Sequence, residues 1–179
     1  ASQMPGDYVL VLGDSLVAMA PIPPSVCGLP ILNAGIGGAR ASTLLPIMED
    51  LAIIGRIKFI IIAVGVNNAV PTYWDKRAFT VAYSELLAKA SSMSRVAVAT
   101  VAPVDFSMDV GKLRNPEARD TINKLIISTA GKFGAGVIRL DNLPTEQPLT
   151  IDGVHLTEEA KEIWLSRVMG AIVGAVGCP

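Results

Sequence analysis

One histidine occurs in the 179 residues, His155, and it stands three positions after a carboxylate in Asp152-Gly153-Val154-His155. Histidine is the side chain whose unperturbed pKa suits a general base near neutral pH, and this spacing lets a single turn carry the Asp152 carboxylate to the ring's Nδ1. Such a pair needs a nucleophile to serve. Ser15 is the candidate, because it closes Val9-Leu10-Val11-Leu12-Gly13-Asp14-Ser15, where four apolar residues read as a strand buried on both faces and Gly13-Asp14 stops it. A hydroxyl delivered by a tight turn at the carboxyl edge of a parallel sheet is well placed to attack a carbonyl. Ser15, His155 and Asp152 thus supply the nucleophile, the base and the group that orients the base for ester hydrolysis through a covalent intermediate. Each also has a plainer reading: Asp14 or Ser15 as a helix cap, Asp152 as an Asx turn supported by Gly153, His155 as a surface or core histidine.

Holding these groups together is the work of alternating strands and helices. After Ser15 a helix over 16–20 is cut short by Pro21, Pro23 and Pro24. A second strand covers 29–34 and runs into the loop Gly35-Ile36-Gly37-Gly38. Ser42 or Thr43 then caps a helix with Leu44, Leu45, Ile47, Met48, Leu51 and Ile54 on one face, and Gly55 ends it. The strongest strand, 58–64, leads to Gly65-Val66-Asn67-Asn68. A helix through Met93 buries Phe79, Tyr83, Leu86, Leu87 and Ala90. A fourth strand covers 95–101 and a long loop 102–115. A helix opened by Pro116 follows, with Ala118, Ile122, Leu125, Ile126, Thr129 and Phe133 inward. The fifth strand spans 137–140, a second long loop 142–150, and a last helix starts near Thr157 with Ala160, Ile163, Trp164, Val168 and Ile172 inward. Parallel strands joined by right-handed helical crossovers predict an α/β fold: a three-layer α/β/α sandwich around a five-stranded parallel sheet in the flavodoxin-like order 2-1-3-4-5. Every polar strand end then meets on one face.

Length and composition, with about half the chain apolar, predict one domain over 1–179. A net charge of −1 without a basic run argues against nucleic acid or an anionic membrane as partner. The longest apolar stretch, 59–66, is too short to span a bilayer. Cys27 and Cys178 lack metal-type spacing, and a single histidine cannot build a His-rich centre, so no metal is expected. The topology brings both cysteines to the end of the sheet opposite Ser15, with the first and last helices side by side. The expectation is a Cys27–Cys178 disulfide and, with it, a secreted or periplasmic protein; the alternative is a reduced cytoplasmic protein with Cys27 buried as a small hydrophobe and Cys178 frayed at the terminus. The exported protein's signal peptide is then absent from a chain that starts Ala1-Ser2-Gln3 without a basic or apolar leader.

Four separated blocks together resemble the SGNH, or GDSL, hydrolase family: Gly13-Asp14-Ser15-Leu16, Asn33-Ala34-Gly35-Ile36-Gly37-Gly38, Gly65-Val66-Asn67-Asn68 and Asp152-Gly153-Val154-His155. The resemblance implies an oxyanion hole made by the Ser15 and Gly38 backbone N–H groups and the Asn67 amide, with Ser15, Asp152 and His155 as the triad. It also implies no cofactor and a small-molecule ester as substrate. The family's pattern is departed from in two of these blocks. Asn68 stands where it usually has aspartate, and Ala39-Arg40 where it commonly has an acidic residue and threonine. Of the family's esterases, acetyl-sugar deacetylases, thioesterases and lysophospholipases, the reading favours short acyl groups. The loops at 70–74, 102–115 and 142–149 wall the cleft, and Trp74 and Phe106 are either stacking platforms or core. The rival class is a non-catalytic module holding a carbohydrate in the same loops. A nucleotide-binding protein using 35–38 as a phosphate loop is a weaker alternative, because the lysine and spacing of a P-loop are missing.

Overall fold

In the computed structural model, which describes residues 6–51, 53, 55–144 and 148–178, the unbroken apolar run near the N-terminus forms strand β1 (Asp7–Gly13). Its side chains alternate between two cores. Tyr8, Leu10 and Leu12 enter one, Val9 and Val11 the other, and none of the five keeps any exposed surface. Parallel to β1 run β3 (Leu29–Gly35) on one side and β4 (Arg56–Ala63) on the other, followed by β5 (Arg95–Ala99) and β6 (Gly136–Ile138). Those five strands have the expected order. A sixth, β2 (Ser25–Val26), adds antiparallel to the outer edge of β3, so the sheet reads β2-β3-β1-β4-β5-β6 rather than five parallel strands. Cys27 and Gly28, with φ of 50° and 79°, reverse the chain between Val26 and Leu29. Two residues are too short a run to show a period of two, which is why the sequence pattern passes over this strand.

Lys58 is an extra residue in β4: Tyr8 faces Ile57 while Val9 faces Phe59. This bulge rephases the strand so that Ile60 and Ile62 fall on the same side as Leu10 and Leu12. On that side lie α2 (Ala41–Leu51), α3 (Lys76–Met93) and α4 (Pro116–Phe133). The opposite face carries α1 (Ser15–Ala18) and α5 (Glu158–Val176), whose Val17, Trp164, Val168 and Ile172 cover Val9 and Val11. Phe79, Tyr83, Leu86, Leu87 and Ala90 are all buried, as their spacing requires. Phe133 is not: it is the last residue of α4 and is 38% exposed beside Gly134, which ends the helix in the left-handed region. Neither Ser42 nor Thr43 is the residue that precedes α2, although Thr43 Oγ1 reaches back from the first turn to accept the Arg40 N–H at 2.9 Å. The Ala41 N–H is instead taken by Asn68 Oδ1 at 3.1 Å, and Ile54 lies outside the described residues.

All parallel strands deliver their carboxyl ends to one edge. Close packing there depends on Gly13 and Gly35, since a Cβ at the first would lie 2.3 Å from the Ala63 carbonyl oxygen and at the second 2.1 Å from the Ala18 nitrogen. At the opposite end, Cys27 in the β2–β3 turn and Cys178 beyond α5 form a disulfide with Cα atoms 5.3 Å apart. Among the described residues no helix is long and apolar enough to cross a membrane.

Candidate active site

Asp14 ends the run of β1 and starts α1. Its carboxylate accepts the Leu16 N–H at 3.0 Å, which satisfies one of the helix's free donors and leaves Ser15 in the first turn, half-buried at the sheet edge. The Ser15 Oγ lies 3.0 Å from His155 Nε2, and His155 Nδ1 lies 2.6 Å from Asp152 Oδ2. Since a carboxylate only accepts, Nδ1 carries the ring proton and Nε2 offers its lone pair to the Ser15 hydroxyl. The two readings of Asp152 hold at once. Its Oδ1 accepts the Val154 and His155 backbone N–H groups at 2.9 and 2.8 Å, making an Asx turn, while Oδ2 is left for the ring. Burial pushes the Asp152 carboxyl up, yet the His155 ring and these backbone donors together hold it below the ordinary carboxylate value.

The turn that carries Asp152 and His155 is itself clamped. Ile151 N–H donates to the His155 carbonyl at 2.8 Å, and Thr150 pairs with Leu156. From the long loop, the Asp105 N–H reaches the Gly153 carbonyl at 2.9 Å, and the Val110 and Gly111 N–H groups reach the Asp152 carbonyl at 3.0 and 3.1 Å. The loop expected to wall the cleft therefore also seats the carboxylate. Thr157 caps α5 immediately afterwards through the Ala160 N–H, so the helix start holds the other flank.

The sequence-predicted donors lie in two segments bound side by side. Gly38 adopts φ +74° in the exposed loop after β3, and Asn67, 9% exposed, sits in a 3-10 turn over Val66–Ala69. Asn67 Nδ2 donates to the Ala39 carbonyl at 3.1 Å, which joins the loop to the turn. Among the described residues the Ser15 and Gly38 N–H groups have no acceptor. Asn68, where the family's pattern has aspartate, offers the Ala41 N–H the same kind of acceptor that a carboxylate would.

Several residues at the site take roles that the motifs did not assign them. Arg114 donates through Nη2 to Asn67 Oδ1 at 3.0 Å and through Nη1 to the Val110 carbonyl at 3.1 Å. Asp14 is 2% exposed, and burial raises its carboxyl to about 6 against the Leu16 and Gly65 backbone donors and the charge of Arg114. At the rim the Arg40 guanidinium lies 4.1 Å over the Tyr73 ring. Trp74 packs on Phe79 with ring centroids 6.4 Å apart and so joins the core, whereas Phe106 is half-buried in the long loop. Of the loop 142–149, residues 145–147 lie outside the described residues.

No curated protein sequence matches the chain. Among solved structures, a lipase/acylhydrolase from Enterococcus faecalis is similar with a TM-score of 0.80 and 17% identity, over 94% of this chain and 96% of that one. A carbohydrate acetylesterase from Sinorhizobium meliloti gives 0.73 and 19%, over 95% and 99%. An aryl esterase of M. smegmatis gives 0.77 and 12%, over 94% and 99%. These likenesses establish the fold. Residues 11–163 match the GDSL-like lipase/acylhydrolase family, and the chain belongs to that family.

Proposed function

We propose that the protein is a carboxylic ester hydrolase that cleaves short-acyl esters, acetyl esters among them, through an acyl-enzyme on Ser15. The observation that carries this reading is the unbroken array from Ser15 Oγ to His155 Nε2 at 3.0 Å and from His155 Nδ1 to Asp152 Oδ2 at 2.6 Å. As Ser15 Oγ attacks the ester carbonyl, its proton passes to His155 Nε2, and Asp152 holds the ring and stabilises the imidazolium. The carbonyl oxygen gains charge and is met by the Ser15 and Gly38 N–H groups and the Asn67 amide. His155 then protonates the departing alkoxide, and water repeats the sequence to free Ser15 and the acid.

Membership of an acylhydrolase family and likeness to a carbohydrate acetylesterase support the short-acyl assignment. The Cys27–Cys178 disulfide supports export to the periplasm or the cell exterior, where such bonds persist. Labelling with a fluorophosphonate is the test: one equivalent on Ser15, and none on the Ser15→Ala variant, is expected. In a series of nitrophenyl esters run beside acetylated sugars, rates should fall as the acyl chain lengthens. A preference for long chains or thioesters moves the assignment to a lysophospholipase or thioesterase. Neither labelling nor hydrolysis makes the protein a non-catalytic carbohydrate binder.

A further inference from the structure

We propose that Arg114 is a positioning residue that orients and polarises the Asn67 amide; the inference rests on the ester-hydrolase reading above. An asparagine side chain is nearly symmetric in shape, and what distinguishes its two ends is what each neighbour can give or take. The Ala39 carbonyl can only accept, and it takes one N–H of Nδ2 at 3.1 Å. A guanidinium can only donate, and Arg114 Nη2 meets Oδ1 at 3.0 Å. Together they forbid the flipped amide and leave the second N–H of Nδ2 without an acceptor among the described residues, available to a reacting carbonyl oxygen.

The cation is not held in place by a direct ion pair. Among the described residues Arg114 has no carboxylate within salt-bridge distance, and its buried Nε has no partner. Its remaining bond, Nη1 to the Val110 carbonyl at 3.1 Å, fixes it to the loop that seats Asp152. The next residue is anchored to the Asn67 turn, with the Asn115 N–H on the Ala69 carbonyl at 2.8 Å. A half-buried guanidinium bonded to Oδ1 draws electron density from the amide, so its N–H becomes a stronger donor. Lysine offers a charge without the planar fork and so restores only part of this.

The experiment is a double-mutant cycle on nitrophenyl acetate hydrolysis, with thermal unfolding of every variant. Arg114→Met should lower kcat about 10- to 100-fold with KM nearly unchanged, less than deleting the Asn67 donor itself. Arg114→Lys should recover part of the loss, and methylguanidinium added to Arg114→Ala should raise its kcat. In an Asn67→Ala background, Arg114→Met should cost no more than about two-fold, because the group it acts through is gone. Full multiplication of the two losses, or an effect confined to KM, overturns the inference. So does an Arg114→Met enzyme as fast as wild type. If Arg114→Met fails to fold, the same cycle with Arg114→Lys decides between these outcomes. A wild type that neither hydrolyses the ester nor takes the fluorophosphonate refutes the ester-hydrolase reading first; an active wild type with multiplicative losses refutes only the role of Arg114.

Discussion

Replacing Asp14 by asparagine removes a buried titratable group while keeping its shape. The carboxyl is 2% exposed and burial lifts it from the ordinary 3.8 to about 6. That difference corresponds to about 3 kcal/mol between its protonation states, at about 1.36 kcal/mol per pKa step. The sign follows from which state releases the proton first. Below about pH 4 both folded and unfolded chains keep it, and the group adds no pH dependence. Between about pH 4 and 6 the unfolded chain has lost the proton and the folded chain has not, so stability falls as pH rises. Above about pH 6 the loss is complete. The asparagine variant lacks this dependence, because its amide does not titrate. Its amide oxygen still accepts the Leu16 N–H, while the NH2 end disturbs the Gly65 donor at a cost that is the same at every pH. Relative to wild type, Asp14→Asn should therefore gain about 3 kcal/mol between pH 4 and 7.5. At about 2.1 cal/mol/K per residue that is a relative Tm gain of about 8 °C. Urea unfolding of both proteins at pH 4, 5, 6 and 7.5 measures it directly. Stability curves that stay parallel across this range would show that Asp14 is ionised in the fold at ordinary carboxylate pH, and the argument from burial would fail.

Ser15→Ala and His155→Ala should each abolish nearly all ester hydrolysis with folding intact, and the double variant should be hardly worse than either, as members of one array behave; losses that multiply would refute the shared mechanism. Asn67→Ala should lower kcat about 100- to 1000-fold with KM little changed, read from steady-state kinetics, and a change confined to KM would make Asn67 a substrate-binding group instead. Cys27 and Cys178 are 151 positions apart, so opening their disulfide should cost up to about 5 kcal/mol in the chain-entropy account. Intact mass should rise by about two mass units on reduction, and the urea midpoint of Cys27→Ser/Cys178→Ser should drop; equal midpoints would show that the bond adds nothing.

Long segments with one clear period were legible before the structure. The α3 residues from Phe79 to Ala90 recur at helical spacing and all are buried, and β1 announces itself as an apolar run. Ser15, Asp152 and His155 were readable because each lies in a short block with a local reason for its residue types, and the structure brings the three together. What stayed hidden depends on partners distant in sequence. Asn68 takes the first N–H of α2 from 27 positions away, alongside the local contact of Thr43 with the Arg40 N–H. Arg114 meets Asn67 across 47 positions from a loop with no period at all. Asp14 looks like an ordinary cap in the sequence, and only the packing around the sheet edge reveals that it is desolvated.

Viewed as covalent connectivity, the bond between Cys27 and Cys178 turns most of the molecule into a ring, with the residues before Cys27 hanging from it as a tail. Gly38, Asn67, Asp152 and His155 belong to the ring, whereas β1 and Ser15 belong to the tail. Both neighbours of β1, the strands β3 and β4, are ring segments, so the tail is threaded through the middle of the sheet as a guest strand. The single peptide connection between guest and host passes through the exposed Pro21, Pro24 and Ser25. A cut there would leave the nucleophile on a separate short chain, held in register by its two ladders of hydrogen bonds, its buried side chains and the Asp7 pairs with Arg56 and Lys58, while the base, its carboxylate and the Gly38 and Asn67 donors stayed on one closed loop.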